Sequence, residues 1–461
     1  MLKTPAKASV WYIASGGIAR AIGALSTPIF TRLLTPEEYG LYPLYTTWMG
    51  VLSVLVTLEL TGNAIYRGFQ KHSDKKDEFT TAALGLLGSV FFIFCALYFA
   101  FYGILESLVG LSLKNSILML AEIFTASIIS LYLARARYEY KYKAVAALNL
   151  LSAVAIPLLA IVFILLFGIR AESRIYASAL VSLLSASSVA VVIIRGSEKL
   201  YSRKIWGYLL KHSVPLIPQY FAAALILKSF EISIERTGGT EALGKYSVAM
   251  SVGMALTVVT GGLLSALAPW ILRKLRDGSI DRIRDFLYHV TRSLALVSLL
   301  ILSAAPELIA FLAAEEFRSA LPAVYPLEIA AIFSFLSGAI LSGCAYYEKG
   351  AFSSIPSIAA ALISVSLSIF ALPKTDYRFA GVFALSCYLI MTLISALVFR
   401  RLSGEYPIDL KKCALIFLLT AAYATLLFAF RGVFISRMFL AIPILILLLI
   451  SSKEIYRRVK E

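Results

Sequence analysis

The sequence predicts an all-α integral membrane protein of about fourteen transmembrane helices. They are expected as two six-helix bundles related by a pseudo-two-fold axis along the membrane normal, plus two C-terminal helices. Three observations predict it. The chain has 461 residues, 60% hydrophobic and only 15% charged, where a soluble domain carries about 25% charged residues. Its mean hydropathy is +0.84. Apolar runs of about 20 residues, the length that crosses a bilayer core as a helix, recur from end to end. Lys and Arg are dense in every second connection, which is how cytoplasmic loops differ from external ones. A transmembrane β-barrel would show short alternating segments instead.

In chain order the spans fall at 9–31, 41–65, 80–104, 116–134, 145–168, 175–194, 214–234, 246–270, 290–312, 323–346, 354–372, 379–399, 413–430 and 433–450. The first follows Lys3 and Lys7, as a secretory signal would. Its apolar part is too long for a signal core and further spans follow, so it reads as a retained helix. The longest connection is the basic linker 195–213, too short for a soluble domain. Only Arg431 and Gly432 separate the last two spans, which leaves a re-entrant hairpin open there. This sets 1–194 as the first bundle, 214–400 as the second, and 401–461 as two additional helices with a basic tail.

Assigning connections to alternate sides puts 30 of the 43 Lys and Arg on the side of the N-terminus and 11 on the other. An incorrect span count would scramble that bias. It predicts a multi-pass protein of the cell membrane with both termini in the cytoplasm. It also accounts for the net charge of +16 without a nucleic-acid partner. Basic segments such as "RGSEKLYSRKIWGYLLKH" suit anionic membrane lipid as an amphipathic helix, or serve orientation alone.

The stretch "FTRLLTPEEYGLY", residues 30–42, is a polar turn between two apolar segments. Thr35 can cap the second helix, Pro36 suits its first position, and Glu37 and Glu38 face its positive end. The turn recurs as "IERTGGTEALGKY", residues 234–246. At a shift of 204, Arg32 falls on Arg236, Glu37 on Glu241, Gly40 on Gly244 and Tyr42 on Tyr246. The same shift sets Glu172 on Asp376 and Arg174 on Arg378. An ancestral duplication explains this register. Six spans is an even number, so the two halves are expected to be parallel.

"PIFTRLLTPEEYGLY" after a Gly-rich first helix resembles the start of the Wzx-type polysaccharide exporters. These belong to the multidrug/oligosaccharidyl-lipid/polysaccharide (MOP) superfamily. The resemblance extends over the chain in span number, charge pattern and duplication. It implies two bundles around a central cavity that opens to either side in turn. It implies as cargo a lipid-linked oligosaccharide on a polyprenyl (pyro)phosphate, moved by a flippase that serves glycan polymerase or ligase machinery. It also implies a cationic cavity, with basic residues on spans one and seven.

Charges inside spans are costly and usually face a cavity or a partner. Arg20 in span one and Lys228 in span seven stand at similar depth, because the shift carries Arg20 to within one helical turn of Lys228. Two such cations suit a phosphate or pyrophosphate. Arg32 and Arg236 stand at the rim, as receivers of an anionic head group or as snorkelling anchors. Glu59, Glu231 and Glu235 form the acidic set, suited to coupling with a sodium or proton gradient. Glu231 can equally neutralise Lys228 three residues away, and Glu59 can pair with Arg20. Glu122 and Glu328 read as structural hydrogen-bonding groups. Pro28, Pro215 and Pro218 allow bending in the first helix of each half.

Cys95, Cys344, Cys387 and Cys413 show neither zinc nor disulfide spacing. His72, His212 and His289 form no metal pattern. Walker, nucleophile-elbow, zinc-helix and dinucleotide motifs are absent from the sequence, so no cofactor and no enzymatic activity is expected. The alternatives are a cation-coupled drug exporter of the same superfamily, for which a net acidic cavity is expected, and a membrane-embedded polysaccharide polymerase or ligase. Short external loops argue against the polymerase.

Overall fold

A computed structural model describes residues 3–197, 199–347 and 350–460. Lys349, one of the cations in the charge assignment, lies outside the described residues. No strand occurs among the described residues. The chain divides into two compact units, Met1–Ala224 and Leu225–Glu461.

The first unit holds α1 (Lys3–Leu33), α2 (Pro36–Thr57), α3 (Asn63–Lys71), α4 (Lys76–Ala100), α5 (Tyr102–Val109), α6 (Leu113–Tyr138), α7 (Tyr142–Phe167), α8 (Ser173–Gly196) and α9 (Arg203–Ser213). Helix α10 (Ile217–Gly253) begins in this unit and ends in the second. The second continues with α11 (Leu256–Arg276), α12 (Ile280–Ser303), α13 (Ala305–Leu312), α14 (Leu321–Cys344), α15 (Gly350–Phe370), α16 (Ala380–Ser403), α17 (Leu410–Ala429) and α18 (Phe434–Lys460).

Eleven helices among the described residues are long and apolar enough to cross a membrane. A bent pair, Leu256–Ser265 with Leu267–Arg276 at 41°, makes twelve when taken as one span. The expected spans outside this set are the first two, α1 and α2. Helix α2 carries Tyr, Thr, Trp, Gly and two acids among its apolar residues, which lowers its mean hydropathy.

The connection expected between spans seven and eight is folded differently. Helix runs on both sides of a single reversed residue, Gly239, at φ 69° and ψ −175°. That backbone region is open essentially to glycine alone. The basic linker contains a helix. Its helix α9 inserts Ile205 and Leu209 into the core of the first unit, and Trp206 Nε1 donates to the Ala82 carbonyl at 2.8 Å.

In the second unit α14 is the central helix, packed on α11, α12 and α16. Small side chains let α10 and α15 approach closely. Ser229 and Ser364 share a hydrogen bond at 2.7 Å, and Ser233 donates to the Ser368 carbonyl at 2.5 Å. Arg437, 2% exposed, anchors α18. It donates to the Ser303 carbonyl at 2.5 Å and grips both carboxylate oxygens of Glu307, one of them at 2.6 Å.

Removing one partner of such a pair strands the other, at about 1–3 kcal/mol. We expect Arg437→Met to lower the thermal unfolding midpoint in detergent. Replacing Glu307 by Met in the same chain should recover part of the loss. Additive losses in the double variant would show that the pair is not coupled.

Candidate functional site

The polar turn that opens α2 is built as a capping box. Glu38 N–H donates to Thr35 Oγ1 at 3.3 Å, and Thr35 N–H donates back to Glu38 Oε2 at 2.9 Å. Pro36 takes the first helical turn, where its missing N–H is no loss. Glu38 is then gripped by Arg170, which precedes α8, through two bonds of 2.7 and 2.9 Å.

Beside this pair lies the densest cation–aromatic contact in the unit. The Arg174 guanidinium stands 5.1 Å from the Phe30 ring, 5.1 Å from Tyr39 and 4.0 Å from Tyr42. The rings come from the end of α1 and the start of α2. Below them Tyr42 stacks on Tyr45, whose hydroxyl donates to Glu122 at 2.7 Å. Ser178 donates to the same Glu122 oxygen at 3.0 Å. A continuous polar line therefore runs from the rim into the span, and it ties α2, α6 and α8 together.

The remaining charges in the first unit are arranged differently. Arg20 is exposed on α1 and has no hydrogen-bond or ion partner among the described residues, Glu59 included. Arg32 is exposed at the end of α1 and donates to the Pro28 carbonyl at 2.8 Å. Glu59 occupies a break between α2 and α3. Leu58 and Glu59 both take left-handed backbone, at φ 48° and 50°, which costs non-glycine residues of order 1–3 kcal/mol each. Glu59 is half-buried. A Cβ placed on Gly62 would stand 3.6 Å from Glu59 Oε2 and 3.5 Å from the Tyr220 hydroxyl, so both oxygens border the same bare backbone.

In the second unit Lys228, Glu231 and Glu235 share one face of α10, at spacings of three and four residues. Lys228 Nζ binds both oxygens of Glu231, at 2.8 and 3.0 Å. Glu231 is buried. Glu235 is half-buried and has no ion partner among the described residues. Arg236 is exposed. Glu328 on α14 is fully buried, and its carboxylate faces the Leu256 backbone N–H and meets no side-chain hydrogen-bond partner among the described residues. It differs from Glu122 in this respect. Sequence reasoning treated the two alike because the difference lies in neighbours distant along the chain. Among the described residues no group of three His, Cys, Asp or Glu could hold a metal ion.

Long apolar helices with sparse charges between them describe a multi-pass membrane protein. A family model for polysaccharide biosynthesis proteins matches residues 6–274, and the chain belongs to that family. No curated protein sequence matches the chain. Among solved structures, it is similar to the lipid II flippase MurJ in an inward closed conformation. The TM-score is 0.70 at 14% identity, over 98% of this chain and 100% of that one. It is also similar to an inward-facing multidrug resistance MATE family transporter, with TM-score 0.67 and 15% identity over 84% and 96%. A third is a MOP superfamily transporter from Pyrococcus furiosus, with TM-score 0.61 and 15% identity over 87% and 96%.

Two expectations follow for the rim. Arg174→Leu removes a stacked guanidinium, where cation–π contacts contribute about 0.5–2 kcal/mol. It should lower the unfolding midpoint more than Arg378→Leu, whose guanidinium meets the Tyr377 ring, at 5.7 Å, and Asp376 at 3.2 Å. Equal losses would dismiss the cage. Separately, the bonds from Arg170 and then from Thr35 hold the Glu38 carboxyl below its ordinary pKa, against an opposing effect of burial. Folding lowers this pKa, so the contribution is complete above the unfolded value and disappears as pH falls through the folded one. The pair is partly exposed and contributes about 1 kcal/mol or less. Glu38→Gln should remove this part of the acid sensitivity in a pH series of unfolding midpoints.

Proposed function

We propose that this chain moves an oligosaccharide unit linked to a polyprenyl (pyro)phosphate between the leaflets of the cell membrane by alternating access. The product would feed cell-surface polysaccharide or glycan assembly, where a polymerase or ligase takes it up. The observation that carries the reading is membership in the polysaccharide biosynthesis family. The likeness to a lipid II flippase over the full length of both chains supplies a fold compatible with it.

In this reading Arg20 receives the anionic phosphate, since it offers an exposed cation with no partner among the described residues. Lys228 would contribute only after exchanging Glu231 for the cargo. Arg32 and Arg236 would meet the head group at the rim. Both termini lie in the cytoplasm, as the Lys and Arg bias indicates. Glu59 and Glu235 would couple the cycle to sodium or protons.

A second reading is a cation-coupled exporter of small molecules, favoured by the likeness to MATE family transporters. The unpaired Arg20 argues against it, because a cationic drug and a free guanidinium repel each other.

The test is the leaflet distribution of lipid-linked saccharide in intact cells, read with an impermeant sugar-oxidising probe. Cells lacking the protein should hold single units on the cytoplasmic leaflet. Arg20→Ala should reproduce that distribution with the protein still inserted, and Arg20→Lys should restore part of the transport. Full transport by the alanine variant would remove Arg20 from the mechanism. Units that reach the outer face unjoined in the protein's absence would indicate a polymerase or ligase. An unchanged distribution would favour the exporter.

A further inference from the structure

His72 closes α3, outside the long apolar helices. Its ring stacks on Phe79 of α4, with centroids 5.3 Å apart and planes at 20°. Tyr208 of α9 meets the same ring near a right angle, at 6.2 Å and 79°. Phe79 is buried and touches Tyr208 as well, at 6.5 Å. It reaches this place because α3 carries no side chain at Gly68, where a Cβ would stand 2.1 Å from the ring. One imidazole therefore sits in the joint between α3, α4 and α9, the helix of the basic linker.

The joint accepts a neutral ring and opposes a charged one. His72 Nε2 is buried and has no hydrogen-bond partner among the described residues. A neutral imidazole can leave that nitrogen bare, whereas the protonated ring places an N–H there with no acceptor. The charges around it are Lys71 at the end of α3, Lys75 in the following turn, Lys204 on α9 and Glu78 on α4. Glu78 is already engaged by Lys75 at 3.9 Å and Lys199 at 3.5 Å. The other titratable ring of the joint, His212, packs on Tyr208 at 4.3 Å, and its Nδ1 lies 2.7 Å from the Tyr208 carbonyl. Burial first, then Lys204 and Lys71, holds the His72 pKa below its ordinary value, with Glu78 opposing and Lys75 adding to the effect.

We propose that His72 is a pH-sensitive latch that holds α9 to the rest of the first unit. Neutral, it lets α3, α4 and α9 pack around it; protonated, it releases α9. Release takes the ring out of its burial and away from Lys204, and so raises its proton affinity. Docking is therefore complete above the free imidazole value of about 6.5 and is lost progressively as pH falls below it. Helix α9 leads through Val214–Leu216 into α10, which begins in the first unit and ends in the second. The latch thus sets how firmly the start of α10 is held. It is independent of the cargo.

The test is hydrogen exchange of the full-length protein in mild detergent, read by mass spectrometry, from about one pH unit above the free imidazole value to about one below it. Rates in α9 are divided by those of α16 in the same sample, which removes the intrinsic pH dependence of exchange. In wild type this ratio should rise roughly tenfold as pH falls, as a tenfold lower proton affinity of the docked ring would give. His72→Phe, which keeps a ring on Phe79 and cannot take a proton, should hold the ratio constant. His212→Asn should leave the rise in place. Lys204→Gln removes an exposed cation beside the ring and should move the rise to higher pH. A constant ratio in wild type would overturn the proposal. So would a rise that survives His72→Phe, one that disappears with His212→Asn, or one that Lys204→Gln leaves unmoved. If His72→Phe fails to fold, the wild-type and Lys204→Gln profiles decide the matter.

Discussion

One guanidinium organises the rim of the first unit. Arg174 lies against three rings supplied by two consecutive helices, Phe30 from α1 and Tyr39 and Tyr42 from α2. A planar cation on aromatic faces is stabilised there without a buried carboxylate, and so avoids the desolvation of an ion pair. The neighbouring bond from Arg170 to Glu38 ties the start of α2 to the segment before α8 from the exposed side. Through Tyr42, Tyr45 and Ser178 the arrangement continues to Glu122. Helices α2, α6 and α8 are thereby held in register at one end, while the break at Leu58 and Glu59 lies at the far end of α2.

Among the described residues the second unit shows no such cluster. At the shift of 204, Phe30 falls on Ile234, Tyr39 on Leu243, Glu38 on Ala242 and Arg170 on Lys374. Ile234, Leu243 and Tyr246 are buried. Here the α10 segment is tied by apolar burial and by the serine bonds to α15. Helix α18 is tied separately, through Arg437 and Glu307. The two units therefore reach related ends by different chemistry, aromatic and ionic in one, apolar and hydroxyl-based in the other.

Much of the first rim was legible because its signals are local. Thr35, Pro36 and Glu38 lie within four residues, and their capping roles follow from helix-end chemistry alone. The apolar helices were legible for the same reason, since hydropathy is a property of a window. Breaks inside spans were not. Nothing in "LELTGN" marks Leu58 and Glu59 as left-handed, because tertiary packing overrides their ordinary preference. Gly239 carried a signal in its glycine pair, yet it was read as part of a turn and not as a single reversal within helix. Long-range pairs were also invisible. Arg437 carries no local signal of its partner, because Glu307 is 130 residues away. The partners that distinguish Glu122 from Glu328 belong to other helices as well.

The central claim is that this chain moves a lipid-linked saccharide between leaflets, and reconstitution tests it most directly. The purified protein would be placed in vesicles that carry a polyprenyl pyrophosphate-linked saccharide in both leaflets. An impermeant glycan-cleaving enzyme would then be added outside. If the account holds, protein-free vesicles lose only the outer half of the saccharide, whereas protein-containing vesicles lose nearly all of it as inner units become exposed. Loss confined to the outer half in both, from vesicles in which the protein is folded and an ion gradient is supplied, would contradict it.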